Sequence, residues 1–266
     1  MLQVDVRGET GPELVLLHGW GSSADVWEPV LACLSRSFRL TLINLPQQLS
    51  PVQGSSPVQS SSLVKGSPDQ LTSQLVSNLL AVAPDKAIWL GWSLGGQLAL
   101  AVAEAAPERV AGLVGVASNP CFIQREDWPD AMDKALFAQF EEALVSDARK
   151  TLKRFVLLQV QGSENQRREV MQLMAALSEA DPQTLQCLLG LLRLDMRQAL
   201  KTLQVPCLYM LGQNDLLVPV SLADQLVRLR PDVQVLIQEG AAHAPFLTRP
   251  EVFSEQVTTW ARQISF

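Results

Sequence analysis

Histidine is scarce in this chain: among 266 residues, only His18 and His243 carry an imidazole. Any mechanism that needs a base active near neutral pH therefore has only two imidazoles to draw on. A zinc site built from three histidines is excluded, and no Cys-x-x-Cys pair is present that could replace it. We therefore expect no metal site.

Long hydrophobic runs are also lacking. No apolar stretch reaches the ~18 residues of a membrane span, and the amino terminus has no basic segment followed by an apolar run. The four cysteines are far apart in mostly apolar surroundings, which is typical of reduced thiols in a cytosolic protein. We expect a cytoplasmic protein with no signal peptide and no membrane contact.

Positive charge is in the minority, with 21 basic against 27 acidic residues and a net charge of −6. Because phosphate binding needs a positive field, a nucleic-acid partner is not expected. The chain is 47% hydrophobic and 18% charged, which fits a folded domain with a sizeable core and not a disordered chain. Its length allows two domains, or one α/β domain with a large insertion.

Short apolar runs alternate with helical patterns through much of the chain. Near-continuous apolar strands separated by helices predict a mostly parallel central sheet with helices on both faces. The predicted strands are residues 13–17, 39–44, 86–91, 110–117, 207–211 and 233–237. The predicted helices between or after them are residues 94–105, 220–229 and 250–263.

The middle of the chain follows a different pattern. Residues 129–203 contain no convincing strand, and helical periodicity runs through residues 131–144, 148–160, 166–177 and 182–192. We therefore predict an α/β core formed by residues 1–120 and 204–266, interrupted by a helical lid at residues 121–203. Residues 47–69 are rich in Ser, Gln and Pro and predict a long loop.

The strongest chemical signal is the sequence Gly91-Trp-Ser93-Leu-Gly95, which follows a predicted strand and opens a predicted helix. This is the context of a nucleophile elbow, a sharp turn in which glycines avoid clashes and the serine hydroxyl is exposed at the helix amino terminus. A serine hydroxyl needs an adjacent base. His243, in a loop of small residues after a late strand, is the candidate base.

The acid that orients the base should follow a strand between the serine and the histidine. Asp215 directly follows the predicted strand 207–211, whereas the other aspartates of this region lie in the helical insertion or flank a helix. The candidate catalytic set is Ser93, Asp215 and His243, in the chain order of an α/β-hydrolase.

A second loop is a candidate oxyanion hole. His18 lies in a His-Gly-x-Gly run directly after the first clear strand, where a bend can direct amide N–H groups at a reacting carbonyl oxygen. We expect His18 to orient this loop and the N–H groups of Trp20 and Leu94 to be the donors. The alternative, that His18 only caps the strand, is compatible with this role.

With these motifs the chain resembles the α/β-hydrolase superfamily over nearly its full length. Within it, five runs resemble the pimeloyl-[acyl-carrier protein] methyl ester esterases, the BioH family: residues 16–21, 83–96, 118–122, 216–219 and 241–246. The resemblance implies hydrolysis of the methyl ester of pimeloyl-acyl-carrier protein in biotin biosynthesis. It implies a carrier-protein partner, no metal and no organic cofactor. We expect a monomer.

The same resemblance implies which residues contact the substrate. They are Trp20, Ser93, Leu94, Phe155, Val156, Leu157, Leu158, Gln159 and His243. For Phe155 and Leu158 the alternative is ordinary helix packing.

A basic stretch lies within the predicted lid. Between Arg149 and Arg168 there are six basic residues against the single acid Glu164, and the resemblance implies that Lys150, Arg154 and Arg167 dock the acidic carrier protein. The alternative is a solvated helix face.

In one place the chain departs from its relatives. They usually have Asp-x-Pro-Gly after the second strand, where this chain has Asn44-Leu-Pro-Gln47, a change that affects a turn and not the chemistry.

Two other functions stay open on sequence grounds, because function depends on pocket and lid. One is a general short-chain carboxylesterase or carbon–carbon bond hydrolase of the same fold, and the other is a hydrolase-fold binding protein with little turnover.

Overall fold

The computed structural model describes residues 2–49 and 67–264. Most of the predicted loop 47–69 therefore lies outside the described residues. Its last residues were predicted wrongly, because Ser67 caps a helix that begins at Pro68. Within the described residues, no helix is both long and apolar enough to cross a membrane.

A seven-stranded sheet forms the centre of the fold, in the order β1-β3-β2-β4-β5-β6-β7. β1 pairs antiparallel with β3, and every other neighbouring pair is parallel, which confirms the predicted mostly parallel sheet. The strands are β1 (Gln3–Arg7), β2 (Glu13–Leu17), β3 (Arg39–Asn44), β4 (Ala87–Trp92), β5 (Val110–Val116), β6 (Cys207–Gly212) and β7 (Gln234–Gln238).

Helices cover both faces of this sheet, as predicted. They are α1 (Glu28–Leu34), α2 (Pro68–Val82), α3 (Leu94–Ala105), α4 (Lys134–Ser146), α5 (Ala148–Val160), α6 (Gln166–Ala175), α7 (Pro182–Gly190), α8 (Arg197–Thr202), α9 (Leu222–Leu229), α10 (Pro245–Thr248) and α11 (Pro250–Ala261).

The hydrophobic core has two layers, one on each face of the sheet. Along β2, Val15 and Leu17 pack into the layer beneath α2 and α3, while Leu14 and Leu16 pack into the layer beneath α1 and α11. This alternation is the two-residue period of a strand that is buried on both faces. It explains why the central strands are continuous apolar runs.

All described residues between β5 and β6 are helical or irregular, apart from isolated bridges. The two ends of this helical insertion meet, because the Met196 N–H donates to the Pro120 carbonyl at 2.8 Å and Cys121 forms an antiparallel bridge with Asp195. After this junction, α8 packs on α3 and returns the chain to β6. The limits 121–203 for a lid stay a prediction.

Four of these strands and helices outside the insertion were not predicted from the sequence: β1, α1, α2 and α10. β1 is an edge strand whose side chains are mostly exposed, so it lacks the apolar run that identifies the central strands. α2 had a signal, since Ser67 and Gln70 form a capping box. α4 begins later than predicted because the Asp133 carboxylate accepts the N–H groups of Ala135 and Leu136 at 2.9 Å.

Candidate active site

Ser93 lies in the sharp turn between β4 and α3, with φ 53° and ψ −118°. Few non-glycine residues adopt this backbone conformation, and such strain is concentrated at functional sites. Two glycines make the turn possible: a Cβ at Gly91 would lie 2.1 Å from the Gly95 carbonyl oxygen, and one at Gly95 would lie 2.3 Å from that of Leu17. The turn leaves the Ser93 side chain at the amino terminus of α3.

Ser93, His243 and Asp215 form one continuous hydrogen-bonded chain. His243 Nε2 lies 3.0 Å from Ser93 Oγ, and His243 Nδ1 lies 2.8 Å from Asp215 Oδ2. All three side chains are buried. The structure thus brings together the three predicted catalytic residues from three separate loops at the carboxyl ends of β4, β6 and β7.

The Asp215 carboxylate is held on both of its oxygens. Oδ1 accepts the backbone N–H groups of Leu217 at 2.8 Å and Val218 at 3.0 Å, which leaves Oδ2 for the imidazole. A carboxylate facing Nδ1 favours the tautomer with the proton on that nitrogen. His243 Nε2 is then an acceptor facing the serine hydroxyl.

The His243 backbone is fixed from two directions. Its N–H donates to the Gln159 carbonyl at 3.0 Å, and its carbonyl accepts the indole N–H of Trp92 at 2.7 Å. Gln159 is the penultimate residue of α5, so the helical insertion contacts the histidine loop directly. Trp92 immediately precedes Ser93, so one side chain connects the elbow to the histidine loop.

Two backbone donors adjoin the elbow. Within residues 2–49 and 67–264, neither the Leu94 N–H nor the Trp20 N–H has a hydrogen-bond partner. Leu94 is the first residue of α3, where the N–H groups point outward and the helix dipole favours negative charge. The Trp20 indole N–H instead donates to the Leu185 carbonyl at 2.8 Å, which fastens this loop to α7.

His18 is a buried, neutral imidazole. Its Nε2 accepts the Leu45 N–H at 2.9 Å, so the proton resides on Nδ1, which donates to the Gly19 carbonyl at 2.9 Å. Burial lowers the pKa of His18 from its usual 6.5 to about 4. The ring therefore ties the loop that carries Trp20 to the end of β3.

This burial predicts a pH dependence of stability. Above pH 6.5 His18 is neutral in the folded and unfolded states; as the pH falls towards 4, the unfolded chain binds a proton that the folded chain does not. Because of His18, the free energy of unfolding is expected to fall by on the order of 3 kcal/mol over this window. In His18→Gln we expect the free energy of unfolding, measured by chemical denaturation, to differ less between pH 7 and pH 4.5 than in the wild type. An unchanged difference in the variant would assign the pH dependence to other groups.

An apolar pocket opens onto Ser93 and His243. Trp20, Phe140 and Phe155 pack edge to face along it, with ring centroids 5.2–5.5 Å apart. The remaining lining residues are Phe122, Met132, Leu136, Phe137, Leu158, Leu189, Leu192 and Leu217. These side chains enclose a narrow apolar cleft beside Ser93 and His243.

The predicted substrate contacts on α5 lie on different sides of the helix. Phe155 and Leu158 line the pocket. Val156 instead packs in the core layer beneath α1 and α11, and Leu157 is 55% exposed on the outer surface. Gln159 is buried, and its carbonyl binds His243. The structure therefore does not bring Val156, Leu157 or Gln159 to the pocket.

Most lining residues of the pocket were not identified from the sequence. They come from the segment after β5, from α4, from the region of α7 and from the loop after Asp215. Each is one apolar residue in an amphipathic helix or loop, so no local pattern distinguishes it from a core residue.

The predicted docking residues are all on the surface. Lys150 and Arg154 lie on the exposed face of α5, and Arg167 is exposed near the start of α6. None of the three forms an ion pair with a described residue. Within the described part of the chain, no group of three or more His, Cys, Asp or Glu side chains could hold a metal ion.

Comparison with known proteins identifies the family of the chain. Residues 12–250 match the family model described as the alpha/beta hydrolase fold. The pimeloyl-[acyl-carrier protein] methyl ester esterase of Pectobacterium atrosepticum is 37% identical over 96% of both chains, and that of Nitrosomonas europaea is 39% identical over 95% of this chain and 96% of its own.

A solved structure extends the comparison to the fold. The enol-lactonase of Burkholderia xenovorans superposes with a TM-score of 0.79 at 17% identity, covering 98% of this chain and 96% of its own. At that identity the likeness concerns the fold alone. The full-length sequence matches carry the finer assignment: the chain belongs to the α/β-hydrolase family and, within it, to the family of the pimeloyl-[acyl-carrier protein] methyl ester esterases.

Proposed function

We propose that this chain is a serine carboxylesterase that hydrolyses the methyl ester of pimeloyl-acyl-carrier protein to pimeloyl-acyl-carrier protein and methanol, a step of biotin biosynthesis. The observation that carries the proposal is the hydrogen-bonded chain Ser93–His243–Asp215 at the mouth of an apolar pocket. Relatives of that name at 36–39% identity over nearly the whole chain support the substrate.

Acylation follows from the atoms in place. His243 Nε2 takes the proton of the Ser93 hydroxyl as Oγ attacks the ester carbonyl, and Asp215 stabilises the imidazolium that forms. The N–H groups of Leu94 and Trp20 donate to the tetrahedral oxyanion. The imidazolium then protonates the departing methoxide, methanol leaves, and the pimeloyl chain remains esterified to Ser93.

Deacylation repeats these steps with water. His243 removes a proton from a water molecule that attacks the acyl-enzyme, and the resulting imidazolium returns a proton to Ser93 Oγ. The products are the free ω-carboxylic acid on the carrier and the regenerated enzyme. The scheme needs no metal or organic cofactor.

The pocket fits the methylene chain of such a substrate. Apart from Ser93 and His243, its lining residues are all apolar, so it favours a neutral ester over a carboxylate, which would be buried without a partner. Product release is then assisted by the negative charge that hydrolysis creates. Phe155 and Leu158 are the proposed α5 contacts, and in this role the helical insertion acts as a lid.

The substrate arrives on a carrier protein, and the insertion carries the surface proposed to receive it. Lys150, Arg154 and Arg167 are exposed cations without an ion-pair partner among the described residues, close in sequence to the pocket residues of α5. Positive charge on the insertion of a protein with net charge −6 attracts an acidic carrier and accelerates its encounter.

Direct turnover tests the function. The purified protein is incubated with acyl-carrier protein bearing the methyl pimeloyl group, and intact-mass spectrometry follows the loss of one methylene mass. We expect conversion by the wild type and none above background by Ser93→Ala. Hydrolysis of a small free ester without conversion of the carrier-linked ester would instead favour a general carboxylesterase, and inactivity on both would favour a binding protein.

Charge reversal tests carrier docking. The triple variant of Lys150, Arg154 and Arg167 to Glu is expected to lower kcat/KM for the carrier-linked ester by about 10- to 100-fold at low salt, because rim charges act on association. Activity on p-nitrophenyl acetate should be unchanged. A matched control reverses Arg36, Lys86 and Arg228, three exposed cations near the amino ends of β3, β4 and β7. Equal losses in both triple variants would refute a docking role for the insertion.

A further inference from the structure

A buried carboxylate lies outside the residues of the proposed mechanism. Glu169, on α6, has no exposed surface. Its Oε1 accepts the hydroxyls of Ser163 and Thr248, each at 2.7 Å, whereas Oε2 has no partner among the described residues. Burying a carboxylate is costly unless it is well hydrogen-bonded. We call Ser163, Glu169 and Thr248 the buried clasp.

The clasp joins the helical insertion to the loop of the proposed base. Ser163 and Glu169 belong to the insertion, while Thr248 is the last residue of α10. α10 begins at Pro245, two residues after His243. The clasp therefore fixes the position of the short helix that directly follows the imidazole.

Further bonds between the same two segments surround the clasp. Arg168 donates to the Leu247 and Thr248 carbonyls at 2.8 and 2.9 Å, and the Asn165 side chain donates to the Thr248 carbonyl at 3.2 Å. On the outer side Arg249 pairs with Glu164 at 2.9 Å, but this pair is exposed and contributes little. The hydrogen bonds of the clasp are buried, so water cannot take their place.

We propose that Glu169 is a positioning residue: through Thr248 it holds α10, and thereby His243, where the imidazole meets Ser93 and Asp215 at once. The proposal rests on the proposed role of His243 as the base. The imidazole must satisfy two distances, 3.0 Å and 2.8 Å, on opposite ring nitrogens, and a shift of the loop by a fraction of an ångström disturbs both. A misplacement of about 1 Å can reduce a rate by about 100-fold.

The decisive variant is Thr248→Val, which keeps the shape of the side chain and removes the hydroxyl. We expect kcat for a small p-nitrophenyl ester to fall about tenfold with KM nearly unchanged, because geometry at the reacting atoms changes and the pocket does not. Thr248→Ser, which keeps the hydroxyl, should retain activity within about twofold.

A matched control removes a similar hydroxyl-to-carboxylate bond elsewhere. Ser221 Oγ donates to Asp130 Oδ1 at 2.6 Å and, at an exposed position, ties the insertion to the segment before α9. Ser221→Ala should leave kcat unchanged. Equal losses of kcat in Ser221→Ala and Thr248→Val would show that any loosening of the insertion has this effect, and would overturn the proposal.

A spectroscopic readout separates this proposal from the proposed function. The low-field ¹H signal of His243 Nδ1–H reports its bond to Asp215, His18 supplies an internal reference, and His243→Ala assigns the two. We expect Thr248→Val to shift or broaden the His243 signal alone, even if no ester is turned over. An unchanged signal would overturn the positioning role.

Should the valine variant not fold, Glu169→Gln should lower kcat about two- to threefold and shift the same signal.

Discussion

Replacing Ser93 with alanine is expected to lower kcat by about 10⁵-fold. The hydroxyl is the atom that becomes acylated, and within the described residues its one hydrogen-bond contact is His243 Nε2. Alanine keeps the Cβ that the strained turn already accommodates. The fold should therefore survive, with a melting temperature close to that of the wild type.

Two measurements check this expectation. Steady-state hydrolysis of a p-nitrophenyl ester gives the loss of kcat, and labelling with a fluorophosphonate should attach one group per wild-type chain and none to Ser93→Ala. A variant that retained a tenth of the activity, or that was labelled at the wild-type rate, would exclude Ser93 as the nucleophile and with it the proposed mechanism.

The second large effect is expected for Asp215→Asn, with kcat lowered by about 10⁴-fold. The N–H groups of Leu217 and Val218 both need the acceptor that Oδ1 now provides, so the asparagine amide places its oxygen there and its NH₂ group towards His243 Nδ1. The imidazole must then accept at Nδ1 and carry its proton on Nε2. In that tautomer it donates to Ser93 and cannot remove the hydroxyl proton.

This variant separates the orientation of the imidazole from folding. Asp215→Asn should keep nearly the stability of the wild type, because both backbone donors stay paired. Asp215→Ala leaves them unsatisfied and should cost about 1–3 kcal/mol for each buried N–H group. Denaturant unfolding and kcat are measured on both variants. If the asparagine variant kept more than a tenth of wild-type kcat, Asp215 would not set the tautomer of His243.

The central part of the fold was predictable because its signals are local. The strands β2 and β3 were predicted to the residue, since a strand buried on both faces must be an uninterrupted apolar run. β1 was missed because it is exposed at the sheet edge and alternates polar with apolar residues. A continuous apolar run therefore identifies a strand that is buried, and it does not identify an exposed strand such as β1.

The candidate site was predictable for a different reason. Only two imidazoles exist, and the elbow glycines have a direct steric cause, so Ser93 and His243 could be paired although 150 residues separate them. The pocket could not be predicted, because its walls are single residues from several elements that converge only in the folded chain. Glu169 was equally hidden, since it follows two arginines and has the sequence context of a solvated helix face.

The junction of Pro120 with Met196 has an evolutionary consequence. Because the chain leaves and re-enters the core at two hydrogen-bonded neighbours, the intervening segment forms a closed loop on the core. Doubling the length of such a loop costs only about 0.6 kcal/mol in closure entropy. Recombination at these two residues can therefore exchange the insertion while the sheet and the elbow are inherited unchanged, provided that the new insertion again supplies the hydrogen bonds that Gln159 and Glu169 make to His243 and Thr248.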